Sequence, residues 1–242
     1  MKAFGIDLEK YFTKRKVLFL MLFSAFALIS YQFNFSTILG LEKNETFTFF
    51  QFMGPIGAGI FDPFLGAFSV LLVEVANFLM KGTIVDLSAP AGLFTIARFF
   101  PMVFAAIYFG SKTKNTVVIP LICIALFIIH PVGGQAWLYS LYWLIPVLAI
   151  FWKDNLFIKS VGTTLTAHAV GSIAFLYLFS TTPAFWLALI PVVAFERLSF
   201  AIGITLSYVG MNTALDVLSH KVDLGCLHID QRYAFLKGKA TA

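Results

Sequence analysis

FQFMGPIGAGIFDPFLGAFSVLLVEVANFLM, residues 50–80, consists of two short apolar runs joined at Asp62-Pro63, where a chain that has lost an N–H donor turns easily. Only Asp62 and Glu74 carry charge in it. An apolar stretch needs about 20 residues to cross the hydrocarbon of a bilayer, somewhat fewer when it is short and packed, so the runs read as spans at 47–61 and 64–80. Outward from there, the same reading gives 17–35 before them and 91–109, 116–130, 135–152, 157–179 and 184–208 after them. That makes about eight membrane segments. If the 47–80 hairpin is re-entrant, six full spans remain and the parity is unchanged.

The whole chain supports that reading. It has 242 residues, 60% hydrophobic and 12% charged, and cannot hide its apolar side chains inside one water-facing domain of this size. The expected fold is all-α, a polytopic integral membrane helix bundle. Residues 1–210 form a single transmembrane domain, and 211–242 form a short cytoplasmic tail, too short for a domain of its own.

Thirteen of the seventeen Lys and Arg residues fall on one side of this stack. They are Lys2, Lys10, Lys14, Arg15, Lys16, Lys112, Lys114, Lys153, Lys159, Lys221, Arg232, Lys237 and Lys239, while the other side holds Lys43 and Lys81. Positive charge stays in the cytoplasm, so both termini are placed there, in a multi-pass protein of the cell membrane. The same bias accounts for the net charge of +5, which leaves no argument for nucleic acid. Lys14-Arg15-Lys16 instead faces the anionic lipid heads of the bilayer. Trp137, Tyr139, Tyr142, Trp143 and Trp186 fall near outer ends and Trp152 at an inner one, as amphipathic rings do at headgroup level.

The first run reads as a retained signal-anchor helix, although Ala25-Phe26-Ala27 has the form of a cleavage site. Cys123 and Cys226 are too far apart in this layout for a disulfide. Asn44-Glu45-Thr46 matches a glycosylation acceptor, a short pattern of little weight. Cys226, His228 and Asp230 read as part of a solvated tail rather than a metal site, and no metal or other cofactor is expected.

Five ionisable residues lie where the bilayer should be: Glu74, Arg98, His168, Glu196 and Arg197. Each costs about 2.5–3.5 kcal/mol at mid-membrane, so each asks for a partner or a function. Glu74 and Arg98 sit near the middles of sequential antiparallel spans, and an ion pair between them is expected. Asn77 adds an amide one turn beyond Glu74. These groups line a polar pocket or clasp two spans in register, and the sequence leaves both readings open. Ser160, Thr164, His168 and Ser172 recur every four residues as one polar stripe, which must face protein or water. Such residues are also ordinary glue between membrane helices. Glu196 and Arg197 project about 100° apart and should serve different faces, Glu196 toward an internal cavity and Arg197 along a neighbour or toward the inner surface.

Gly54 and Ala58, four apart, permit close helix approach, and the density of Gly and Pro in 53–67 is that of transporter helices that break to expose backbone. The short span, Gly-Pro hinge and second short span of 50–80 resemble the substrate-binding S components of energy-coupling factor transporters. That resemblance extends over about the first 110 residues. It implies a helical bundle with an outward-facing pocket, working with a membrane coupling subunit and two cytoplasmic ATPases. The family's paired alanines on the first helix are absent, with Ser24, Ala25 and Ala27 forming only an approximate small patch.

The leading functional expectation is an integral membrane transport or substrate-capture protein for a small molecule, with Glu74, Asn77, Arg98, His168 and Glu196 as the substrate-binding residues. Arg98 would take an anionic group, the carboxylates a cation or an amine. No GxxxxGK[ST] loop is present, so ATP use would belong to another subunit. An intramembrane enzyme acting on a lipid or membrane peptide, with His168 as general base, is the alternative, although no HExxH or GxSxG pattern supports it. A helper subunit of a membrane complex is the third reading.

Overall fold

The computed structural model describes residues 2–3, 6–7, 12–34 and 47–235. Lys10, Lys43, the Asn44-Glu45-Thr46 acceptor, Lys237 and Lys239 lie outside the described residues. A two-residue ladder pairs Lys2–Ala3 with Ile6–Asp7, and the rest of the regular structure is helical.

Helix α1 is Lys14–Ser30, capped by the Thr13 side chain, which accepts from the Lys16 N–H. Helices α2 (Phe50–Ile60) and α3 (Pro63–Met80) make the hairpin expected at Asp62-Pro63. The hinge has a local cause. The Asp62 carboxylate accepts from the N–H groups of Phe64 and Leu65 at 3.0 and 2.9 Å, and Pro63 opens α3 where no donor is needed. Pro55, by contrast, sits inside α2 without interrupting it.

The span expected at 91–109 is divided into α4 (Pro90–Ala97) and α5 (Phe100–Gly110). Pro101 has no N–H to give the Ala97 carbonyl, and the chain turns at Arg98 and Phe99. A 3-10 turn leads into α6 (Val118–Ile129). The region 131–152 is a run of short pieces: α7 (Pro131–Gln135), α8 (Trp137–Ser140) and α9 (Leu144–Ala149), with 3-10 turns between and after. Helices α10 (Leu156–Leu178) and α11 (Pro183–Ser219) complete the bundle.

Four helical stretches are long and apolar enough to cross a membrane: Pro63–Met80, Pro90–Gly110, Leu156–Leu178 and Pro183–Ser219. Lys114–Ile129 and Trp137–Trp152 are shorter apolar stretches. This is the helix inventory of a membrane protein. At about 1.5 Å per residue α11 is roughly 55 Å long, well beyond a hydrocarbon layer of about 30 Å. It passes Gly210 unbroken, so the segment that the sequence reads as tail begins as helix.

Helix α10 is the hub, packed against α4, α5, α6, α9 and α11. Helix α2 is the other buried element, surrounded by α1, α3, α5 and α11, with nine of its eleven residues buried. Ala58 is where that packing is tightest. A side chain on Gly66 of α3 would run into the Ala58 backbone, and one on Gly110 of α5 would meet the Ala58 carbonyl at 2.5 Å. On the α11 side, Gly203 leaves room for the Phe52 ring. Small residues bring the backbones within contact distance, as the Gly54/Ala58 spacing anticipates.

One end of the bundle gathers Arg15, the α2 terminus, the 152–155 turn and the tail. Arg15 pairs with Asp223, the His228 N–H donates to the Ile60 carbonyl at 2.7 Å, and the Tyr233 hydroxyl to the Asp154 carbonyl at 2.9 Å. The Lys153 ammonium donates to the carbonyls of Tyr108 and Ser111 and to Thr116 Oγ1 at the same end. We refer to this as the tail end and to the opposite one as the far end. Within the tail, hydrogen bonds from the Arg232 guanidinium hold the Asp230 carboxyl below its ordinary range.

Gly66→Val inserts three carbons against the Ala58 backbone, and overpacking of this kind costs about 1–3 kcal/mol. The expected outcome is a lowered melting temperature and reduced yield of monodisperse protein in detergent. A variant as stable as the parent would contradict the close α2–α3 contact.

Candidate functional site

The five ionisable residues expected at mid-membrane separate into two groups, and helix lengths explain the division. Glu74 lies six residues before the far end of α3, about 9 Å in, and Arg98 eight residues into α4, about 12 Å in. His168 stands ten residues before the end of α10 and Glu196 thirteen into α11, about 15 and 20 Å from the same end. Glu74, Asn77 and Arg98 are therefore shallower than His168, Glu196 and Arg197.

In the deep group, Glu196 and Arg197 are both buried and pair with one another, Arg197 Nη2 donating to Glu196 Oε2 at 3.1 Å. This differs from the expectation that adjacent residues serve different faces. Both side chains are long enough to curl over the 100° between them. The Arg197 guanidinium also lies over the rings of Phe200 and Phe47, with centroids at 4.3 and 5.5 Å.

His168 is held from both ring nitrogens. Trp143 Nε1 donates to Nδ1 at 3.2 Å, while Tyr139 Oη lies 2.9 Å and Ser172 Oγ 3.4 Å from Nε2. An indole N–H can only donate, so Nδ1 accepts and the ring proton of a neutral His168 sits on Nε2. Tyr139 then accepts from His168 through its oxygen. The ring pair Tyr139 and Trp143 is fully buried against Phe127 and Trp186. These two residues read in the sequence as headgroup-level aromatics. Their i, i+4 spacing, which places both on one helical face beside α10, is the signal for the core position they occupy.

The polar stripe of α10 faces protein, with Ser160, Thr164 and Ser172 buried. Ser160 Oγ donates to the Leu156 carbonyl and accepts from Thr205 Oγ1 of α11 at 3.0 Å, which is the helix-joining use of such residues. Off the stripe, Thr163 and Thr166 donate to carbonyls four residues back in α10 itself.

The shallow group is arranged differently. Glu74 is buried and accepts from the Tyr31 hydroxyl at 2.9 Å, and Tyr31 stacks on Phe50 with the Lys81 ammonium 5.7 Å from its ring centre. The expected Glu74–Arg98 ion pair does not form among the described residues. Tyr31 has taken the carboxylate, and the break at Arg98 turns that side chain to the exposed surface. Arg98 and Lys81 nonetheless act on Glu74 electrostatically. Asn77 is 6% exposed, and its amide receives and donates no side-chain hydrogen bond among the described residues. Arg98 likewise has neither ion pair nor hydrogen bond there through its guanidinium. Thr95 is turned away, donating to the Ala91 carbonyl.

Two hollows of about 250 and 260 Å³ lie on the bundle, one lined by Leu138, Leu141, Tyr142, Ile145 and Ile190, the other by Phe26, Met53, Ser207, Gly210, Met211 and Ala214. Neither is lined by the five expected substrate residues. The small patch on α1 also divides, Ala27 being buried and Ala25 exposed. Compared with family models, curated proteins and solved structures, the chain matches none of them.

The tautomer of His168 is directly measurable. Nitrogen-15 spectra of labelled protein at neutral pH are expected to show Nε2 protonated and Nδ1 bare, and Trp143→Phe should release that preference. The opposite tautomer in the parent would contradict the Trp143 hydrogen bond.

Proposed function

We propose that this chain is an integral membrane small-molecule capture or transport protein whose ligand site is the far-end group of Glu74, Asn77 and Arg98. The observation that carries the reading is the contrast between the two groups. His168 is held on both ring nitrogens and Glu196 pairs with Arg197, whereas the Asn77 amide and the exposed Arg98 guanidinium make no hydrogen bond or ion pair among the described residues. Polar groups at membrane depth that are not taken up by the protein are open to a ligand. In this reading His168 and Glu196 brace the bundle from within rather than touch substrate.

The finer topology belongs to the same proposal. The bundle has about eight membrane segments with both termini in the cytoplasm of the plasma membrane. In support, Arg15, the hinge at Ile60, the 152–155 turn and the tail all meet at one end, as that parity requires. The loose likeness of 50–80 to energy-coupling factor S components supports a coupling subunit and cytoplasmic ATPases as partners, docking at the tail end.

A second reading, an assembly subunit with structural clasps, is favoured by the Glu74–Tyr31 and Glu196–Arg197 contacts, in which each carboxylate is held by an immediate neighbour. The two separate in a thermal-shift screen. Capture requires that one compound from a metabolite panel raise the melting temperature in proportion to RT ln(1 + [L]/Kd). An assembly subunit responds to none and co-purifies with a fixed membrane partner.

Topology is checked with a membrane-impermeant thiol reagent in intact cells, using Cys226 and an introduced Ser88→Cys. Cys226 should stay unlabelled until the cells are opened, and the cysteine at 88 should react at once. The reverse pattern inverts the orientation.

A further inference from the structure

Beyond Ser219 the chain leaves α11 and folds back along it, and its path reaches the hinge of the α2–α3 hairpin. Three polar residues of α11 receive it. The Asp230 N–H donates to Asn212 Oδ1 at 2.7 Å, the Gln231 amide to Asp216 Oδ1 at 2.7 Å, and the Phe235 N–H to Thr213 Oγ1 at 3.1 Å. Asn212 and Asp216 are buried, and the Asn212 amide nitrogen donates to the Tyr208 carbonyl, which turns its oxygen toward the tail. On the outer side the Tyr233 hydroxyl crosses to the Asp154 carbonyl, and Asp223 pairs with Arg15 of α1.

The contact with the hinge is made by backbone alone. Helix α2 ends at Ile60, and the last carbonyls of a helix have no partner within it. The Gly57 carbonyl takes the Phe61 N–H, while that of Ile60 takes the His228 N–H at 2.7 Å. Ile60 is buried, so the tail rather than water supplies that donor. Among the described residues it is the one backbone-to-backbone bond from 223–235 to the rest of the bundle. The tail thus closes, from the α2 side, the same turn that the Asp62 carboxylate caps from the α3 side.

What holds the tail differs from what holds the bundle. Of residues 221–235 only Leu224 and Ala234 are buried, whereas eleven of the 23 residues of α10 are. The tail's bonds to Asp154, Thr213 and Arg15 lie at exposed positions. A segment with few buried apolar groups and exposed hydrogen bonds opens at a lower free energy than the core it rests on.

We propose that residues 221–235 are a latch, which opens as a unit without unfolding the bundle and, when open, frees the α2–α3 hinge by withdrawing the donor from Ile60. Helix α3 leaves that hinge, so the latch sets how firmly the hairpin is held. It stands on these contacts alone and does not depend on the capture reading.

The test is hydrogen exchange followed by mass spectrometry on the full chain in phosphatidylcholine nanodiscs, comparing the parent with the double variant Gln231→Ala/Tyr233→Phe. Both substitutions remove side-chain bonds of the tail and leave the His228 N–H in place. Exchange in tail peptides covering 223–235 and in hinge peptides covering 58–66 should rise together, by roughly five- to tenfold, while peptides of α10 stay as in the parent. Cys226 serves as a second reporter, and its reaction with a thiol reagent in opened membranes should quicken by a similar factor. His228→Pro, which deletes the hinge donor itself, should raise hinge exchange further, and His228→Ala should leave it unchanged.

A joint rise in tail and hinge with α10 unmoved supports the latch. A rise confined to the tail would make it a packed appendage without hold on the hinge. A rise that extends through α10 would make it part of the single cooperative core, and no change in any peptide would mean that these bonds do not hold it. Each of those three results overturns the proposal.

Discussion

A polar side chain inside a bundle surrounded by lipid must find its partner within the protein or leave a deficit, and this bundle meets that requirement unevenly. Deep in the structure, Glu196 has Arg197, and His168 has Trp143 on one nitrogen and Tyr139 on the other. Nearer the far end, Tyr31 donates to Glu74, while Asn77 and Arg98 make no side-chain hydrogen bond or ion pair among the described residues. The proposed capture role rests on this difference. A polar network held by its neighbours stiffens a core.

The apolar framework makes that contrast possible. Helix α2 has eleven residues and would be about 16 Å long, too short to cross a hydrocarbon layer unaided. It is enclosed by α1, α3, α5 and α11, with Ala58 pressed against the backbone side of Gly66 and Gly110. This packing fixes the hinge at Asp62 and so the path of α3, which carries Glu74 and Asn77. Helix α10 serves the other half, its hydroxyls joining α11 through Ser160 and Thr205 while Gly162 leaves room for the Tyr108 ring. The Tyr108 hydroxyl in turn donates to the Pro146 carbonyl at 2.7 Å, tying α9 to the same hub.

Much of the architecture was legible in the sequence because hydropathy and punctuation are local signals. The Asp62-Pro63 hinge, the helical class and the inward stripe of α10 follow from residue type and spacing. The break at Arg98 was less visible, although Pro101 carried the information, since one helix and two consecutive ones have the same hydropathy. Partner choice was not legible. Opposite charges on neighbouring spans suggested Glu74 with Arg98, but a phenol on a third helix reached the carboxylate first. The outward turn at residue 98 then took the guanidinium away. Likewise Tyr139 and Trp143 have the composition of headgroup aromatics, and only their packing beside His168 reveals them as core.

The most direct measurement is a density map of the protein in a lipid bilayer at side-chain resolution around residue 98. The account requires Arg98 to remain beyond 4.0 Å from Glu74, with Tyr31 still on the carboxylate and non-protein density of a small molecule beside Asn77 or Arg98. A closed Glu74–Arg98 ion pair with no density beside Asn77 would make the group a structural clasp and contradict the account.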